Sequence, residues 1–118
     1  MNEQEYKARI SEQNMLGYST LHITLIELAA KKENRLITAI QRILQHNVVP
    51  KPENAPPDHS TNFYKVDLPQ QDIEAIRDMF LDLEASYVDE KGTATPTAAF
   101  YASQVEKWES LMDYNNEN

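Results

Sequence analysis

Glu74, Asp78 and Asp82 recur at every fourth position, and on a helix that spacing stacks three carboxylates along one stripe. Three chemistries are open to such a stripe. It can simply be solvated. It can join acids from a facing helix to hold a divalent cation, as helical di-metal proteins do. It can also present a row of negative charge to a basic partner, including a groove built for nucleic acid, because regularly spaced carboxylates imitate phosphates. Like charges four residues apart cost a helix about 0.2–0.5 kcal/mol per pair, and a cationic partner would remove that cost. Only Lys65, Arg77 and Lys91 lie near in sequence to offset these acids. Asp89 and Glu90 add charge where the helix should end, a place the helix dipole disfavours for acids. The expected partner-binding set is therefore Glu74, Asp78, Asp82, Asp89 and Glu90.

Other chemistry finds little to work with. The chain has no cysteine, so disulfides, iron–sulfur clusters, thiolate-bound zinc and thiol nucleophiles are excluded. His22, His46 and His59 are isolated, with neither a Glu-x-x-His nor a His-x-x-x-His spacing. Two glycines in 118 residues leave no Gly-rich phosphate or oxyanion loop, and no nucleophile elbow is present. No catalytic residue, metal ligand or cofactor is expected; a carboxylate-bound metal hydrolase ranks third among the functional readings. Lys31, Lys32, Arg35 and Arg42 lack interleaved aromatics and read as a solvated helix face. The net charge of −8 opposes direct contact with nucleic acid or anionic lipid. The Pro-rich stretch has no Pro-x-x-Pro.

The elements that must position these groups follow from periodicity. Asn2–Met15 reads as a short helix, which Gly17 can close in a left-handed conformation before Ser19 or Thr20 caps the next. Thr20–His46 reads as one long core helix with Ile26, Ala29, Ala30, Leu36, Ile37, Ile40 and Leu44 on one face. Leu21, Leu25 and Leu28 then form a second apolar face suited to self-association. Lys31, Arg35 and Arg42 lie opposite the main apolar face, so pairing them with the acidic stripe would need a neighbouring subunit. Leu21, Ile23 and Leu25 also alternate with polar residues, and the alternative is a short strand near residues 19–27 pairing with 63–68. Residues 47–62 carry Pro50, Pro52, Pro56 and Pro57 and form a mobile extended connection.

Pro69 suits a first helical turn. Ile73, Ile76, Phe80, Leu83 and Tyr87 are spaced 3, 4, 3 and 4, as are Ala98, Tyr101, Val105, Trp108 and Met112 after a Thr95-Pro96 start. Two such seams joined by a Gly92-containing link predict an antiparallel helical hairpin. Residues 115–118 form a flexible tail. The fold expected is all-α, a single domain of four helices over 1–118. Ile, Leu, Val and Phe make up 26 of 118 residues, so the core is modest and dimerisation would extend it.

Charge divides unevenly along the chain: residues 1–51 carry seven Lys/Arg against five Asp/Glu, and residues 52–118 carry four against fourteen. Neither a secretory signal nor a membrane-length apolar run is visible, so a cytoplasmic location is the default. Together these features suggest a small acidic inhibitor, immunity or adaptor protein, of the kind phages and mobile elements encode, that covers a basic protein surface. The alternative is a self-associating structural subunit, a homo-oligomer.

Overall fold

A computed structural model describes residues 2–12, 14–52, 55, 58–93 and 95–117, the last five by backbone alone. Among them the chain is mostly helical, with five α-helices, one 3-10 turn and a two-stranded antiparallel sheet. It divides into two compact units, Met1–Leu68 and Pro69–Asn118.

The first unit opens with α1, Glu3–Ile10. Asn2 caps it: its Oδ1 accepts the Glu5 N–H at 2.7 Å, and its Nδ2 donates to Glu5 Oε1 at 2.8 Å. Glu3 and Glu5 in the first turn and Lys7 and Arg9 in the last both favour the helix dipole. The helix stops well short of Met15 because Met15–Gly17 is strand β1, paired with β2, Phe63–Lys65, in the register Met15 to Lys65, Leu16 to Tyr64 and Gly17 to Phe63. Gly17 is extended, with φ −80° and ψ 164°, and leads directly into helix α2, Tyr18–Ala30, without a side-chain cap. The expected left-handed closure at Gly17 and the cap from Ser19 or Thr20 are therefore replaced by strand pairing, and the Tyr18 N–H donates to the Asn62 carbonyl at 2.9 Å. The alternative strand at 19–27 is likewise corrected. That segment is helical, with Thr20, Leu21, Thr24 and Leu28 buried at helical spacing, and the strand facing Phe63–Lys65 lies just before it.

The long helix over Thr20–His46 is in fact two. Lys32 adopts φ 59°, the Lys32 N–H bonds the Ala29 carbonyl at 3.1 Å, and the Glu33 N–H reaches back to the Leu28 carbonyl at 3.0 Å. This is a Schellman closure with lysine where glycine is usual. Helix α3, Asn34–His46, follows. The break shifts the phase of the apolar pattern, so the faces read across one continuous helix fail in α2. There Ile26 is 48% exposed and Ala29 and Ala30 face solvent, while Leu21 and Leu28 are wholly buried. In α3 the buried residues are Leu36, Ile40 and Ile43.

The connection after α3 is anchored where it is described. The Val49 N–H donates to the Phe63 carbonyl at 2.8 Å and the Lys65 N–H to the Asn47 carbonyl at 3.0 Å, placing Val48 opposite Tyr64. Farther on, the Asp58 carboxylate accepts bonds from the Ser60 N–H and hydroxyl at 3.0 and 2.7 Å, starting the 3-10 turn His59–Thr61. These hydrogen bonds, the Ser60 hydroxyl's first, hold the Asp58 carboxyl below its ordinary range. Lys51 Nζ donates to the Asp58 carbonyl at 2.7 Å. Pro56 and Pro57 lie outside the described residues. Asp67 receives a two-pronged bond from Arg42 at 2.8 and 3.2 Å, which holds its carboxyl below the ordinary carboxylate range.

The second unit consists of α4, Gln70–Ser86, and α5, Pro96–Glu117. Pro69 sits one place before the first helical residue, and its carbonyl accepts the Asp72 and Ile73 N–H groups. Ile73, Ile76 and Phe80 are buried from α4, as are Ala98, Tyr101, Val105, Trp108 and Leu111 from α5. Leu83 and Met112 are half-buried. Tyr87 contacts Tyr101 with ring centroids 5.7 Å apart, Phe80 contacts the same ring at 6.1 Å, and Arg77 approaches Glu109 at 4.0 Å. Contacts therefore climb α5 as they descend α4, so the two helices run in opposite directions. Thr95 fastens the link between them: its hydroxyl donates to the Tyr87 carbonyl at 2.6 Å and accepts the Ala98 N–H at 3.1 Å. The expected tail at 115–118 falls on residues whose side chains, and for Asn118 the backbone, lie outside the described residues.

Candidate functional site

The unit boundary sharpens the charge division. Met1–Leu68 holds eight Lys/Arg and eight Asp/Glu, a net of zero, whereas Pro69–Asn118 holds three against eleven, a net of −8. The whole formal charge of the chain thus belongs to α4, α5 and the link between them.

On α4 the three expected acids follow one another at four-residue intervals, about 6 Å of rise each at 1.5 Å per residue. Their environments differ. Glu74 is half-buried, and its Oε1 accepts from Gln70 Nε2 at 3.2 Å. Asp78 is exposed and accepts from Arg77 Nε at 2.9 Å. Asp82 is exposed and makes no ion pair among the described residues. Arg77 divides itself between Asp78 and Glu109, so one cation answers two acids. At 100° per residue, Asp78 and Asp82 lie opposite the buried Ile73, Ile76 and Phe80. Beside them run Leu81 and Ala85, both exposed, with Leu81 at 40%, and Val88, just past the end of the helix, is 41% exposed. The sequence reading missed these exposed apolar side chains because Leu81 falls off the main seam and Val88 follows the end of the helix.

Asp89 also shapes the backbone. Its Oδ1 accepts the N–H groups of Lys91 and Thr93, each at 2.9 Å, and its carbonyl accepts the Gly92 N–H. Gly92 has φ 79°, a conformation glycine adopts without steric cost. Asp89 therefore builds the turn after α4, and Glu90 is left exposed on it.

The self-association residues are separated. Leu21 and Leu28 are wholly buried within a single copy, and Leu25 is half-buried. Of the cationic stripe, Arg42 is committed to Asp67, while Lys31 and Arg35 are exposed.

Among the described residues no three His, Asp or Glu side chains converge as a metal site requires, and no helix is long and apolar enough to cross a membrane. Comparison of the chain with protein-family models, with curated proteins and with solved structures gives no match. The geometry of α4 and its flanks is accordingly what a functional reading rests on.

Proposed function

We propose that the chain works by binding a protein, with the acidic face of α4 laid against a basic surface of its target, as an inhibitor, immunity or adaptor protein would do. A nucleic-acid-binding groove is the target chemistry that best matches carboxylates in a row. The observation that carries this reading is the confinement of the entire −8 charge to Pro69–Asn118, where one arginine is the only cation of α4 and is already shared by two acids. Leu81 and Val88 support it, because protein interfaces place exposed apolar side chains at the centre and charges at the rim.

The test compares the wild-type chain with the variant E74Q/D78N/D82N. Each is used to capture proteins from the native host's lysate, or from that of the host it infects, at low and at high salt. The expected result is one basic protein, held at low salt, released as salt rises and bound more weakly by the variant, whose own helix content is unchanged. A complex that resists salt and ignores the three substitutions would refute the proposal.

A further inference from the structure

A groove of about 350 Å³ runs along Asn47–Pro50 in the unit Met1–Leu68, and Arg9, His46, Val48, Pro50, Lys65 and Asp67 are among the residues that line it. Its floor is an unfinished sheet edge. The two bonds that join this segment to β2, from the Val49 N–H to Phe63 and from the Lys65 N–H to Asn47, flank Val48 on either side. In an antiparallel pair the residue between such bonds turns its own N–H and C=O away from the neighbouring strand. Among the described residues neither group of Val48 has a hydrogen-bond partner, and the Val48 side chain is 43% exposed. The groove's charges point one way. Arg9 and Lys65 make no ion pair among the described residues, whereas Asp67, the carboxylate on the wall, is gripped by Arg42.

We propose that this groove binds an extended, carboxylate-bearing peptide segment, which adds a strand alongside Val48 and sets its acidic side chains on Arg9, His46 and Lys65. The backbone selects the shape, since an open edge pairs with an extended chain and not with a helix. The cations select the chemistry. The site is built within the neutral unit and does not depend on the acidic face of α4. Exposed strand edges are also guarded by lysines against unwanted pairing, and the experiment separates a guard from a receptor.

The probe is a fluorescein-labelled hexapeptide of alternating valine and glutamate, titrated by anisotropy against the full chain, with the Val48 amide followed by NMR. Three relatives accompany it: one with lysine in place of glutamate, one N-methylated at every valine and one N-methylated at every glutamate. Only one set of peptide N–H groups faces the protein in a β-pair, so one N-methylated version should lose at least about fivefold in affinity while the other binds nearly as the parent does. The lysine peptide should not bind, the Val48 amide signal should move on binding, and R9A/K65A should weaken the parent peptide about tenfold with unchanged circular dichroism. Equal binding by both N-methylated versions, equal binding by the lysine peptide, or no binding at about 1 mM would overturn the proposal.

Discussion

Replacing Lys32 by glycine should stabilise this protein, although on a sequence reading it falls in the middle of a helix. Lys32 holds φ 59° between α2 and α3, a conformation that costs an L-residue about 1–2 kcal/mol. Glycine pays none of that but loses about 0.4–1 kcal/mol through the greater freedom of its unfolded chain. The balance for K32G is a gain of roughly 0.8 kcal/mol by subtraction of the mid-range values. If Thr20–His46 were one helix, glycine would sit in its interior and lose about 0.7 kcal/mol relative to lysine. The two structures thus predict opposite signs, separated by about 1.5 kcal/mol. For a chain of this length each kcal/mol moves the melting temperature by about 3–6 °C, so a thermal melt followed at 222 nm resolves them. K32N should also be tolerated, because asparagine enters the left-handed region more readily than lysine does. A K32G protein that melts several degrees below wild type would refute the Schellman closure and restore the continuous helix.

Two further perturbations bear on the same unit. Leu28→Ala should cost about 2–5 kcal/mol, as for other wholly buried leucines, while Ile26→Ala should change stability by less than about 0.5 kcal/mol; a urea titration that ranked them the other way would contradict the observed face of α2. The Arg42–Asp67 pair predicts a pH dependence. Since the folded Asp67 pKa is lowered, chiefly by the hydrogen bond from Arg42, its contribution is present above the unfolded carboxylate value of about 3.9 and disappears as pH falls through the lower folded value. Both side chains are nearly half exposed, so the contribution is at most about 1 kcal/mol after solvent screening. D67N should therefore be less stable than wild type at pH 7, with the gap narrowing as pH falls through the folded Asp67 value, and a gap that did not narrow in acid would remove the ion pair as its cause.

How much of this was legible follows from which signals are local. The cap at Thr95 with Pro96 as first helical residue, and the buried spacing of Ile73, Ile76 and Phe80, depend on residues within a few positions of one another, and they read directly. The pairing of Met15–Gly17 with Phe63–Lys65 did not, because three-residue strands nearly fifty positions apart leave no period to detect. The break at Lys32 was hidden for a different reason. Its closure uses backbone bonds alone and places a good helix former where a glycine would have announced the turn. Arg9, His46 and Lys65 come from three distant segments, and no spacing rule could have gathered them. The turn that Asp89 builds went unread because composition registers an acid without registering what its oxygens hold.

The bonds these carboxylates already hold shape the kinetics of any encounter at α4. Of the five acids expected to meet a partner, Glu74 is bonded through one oxygen to Gln70, Asp78 through one to Arg77 and Asp89 through one to its own turn, whereas the carboxylates of Asp82 and Glu90 make no hydrogen bond or ion pair among the described residues. A cationic surface approaching from solution is drawn by the full −8, since distant charges sum whatever their local bonds. Once seated, it finds Asp82 and Glu90 fully open, and a second oxygen on each of Glu74, Asp78 and Asp89 still able to accept. Such a surface favours rapid capture, with a high association rate that salt suppresses, while the carboxylate oxygens still open set how much of the dissociation rate the acids control.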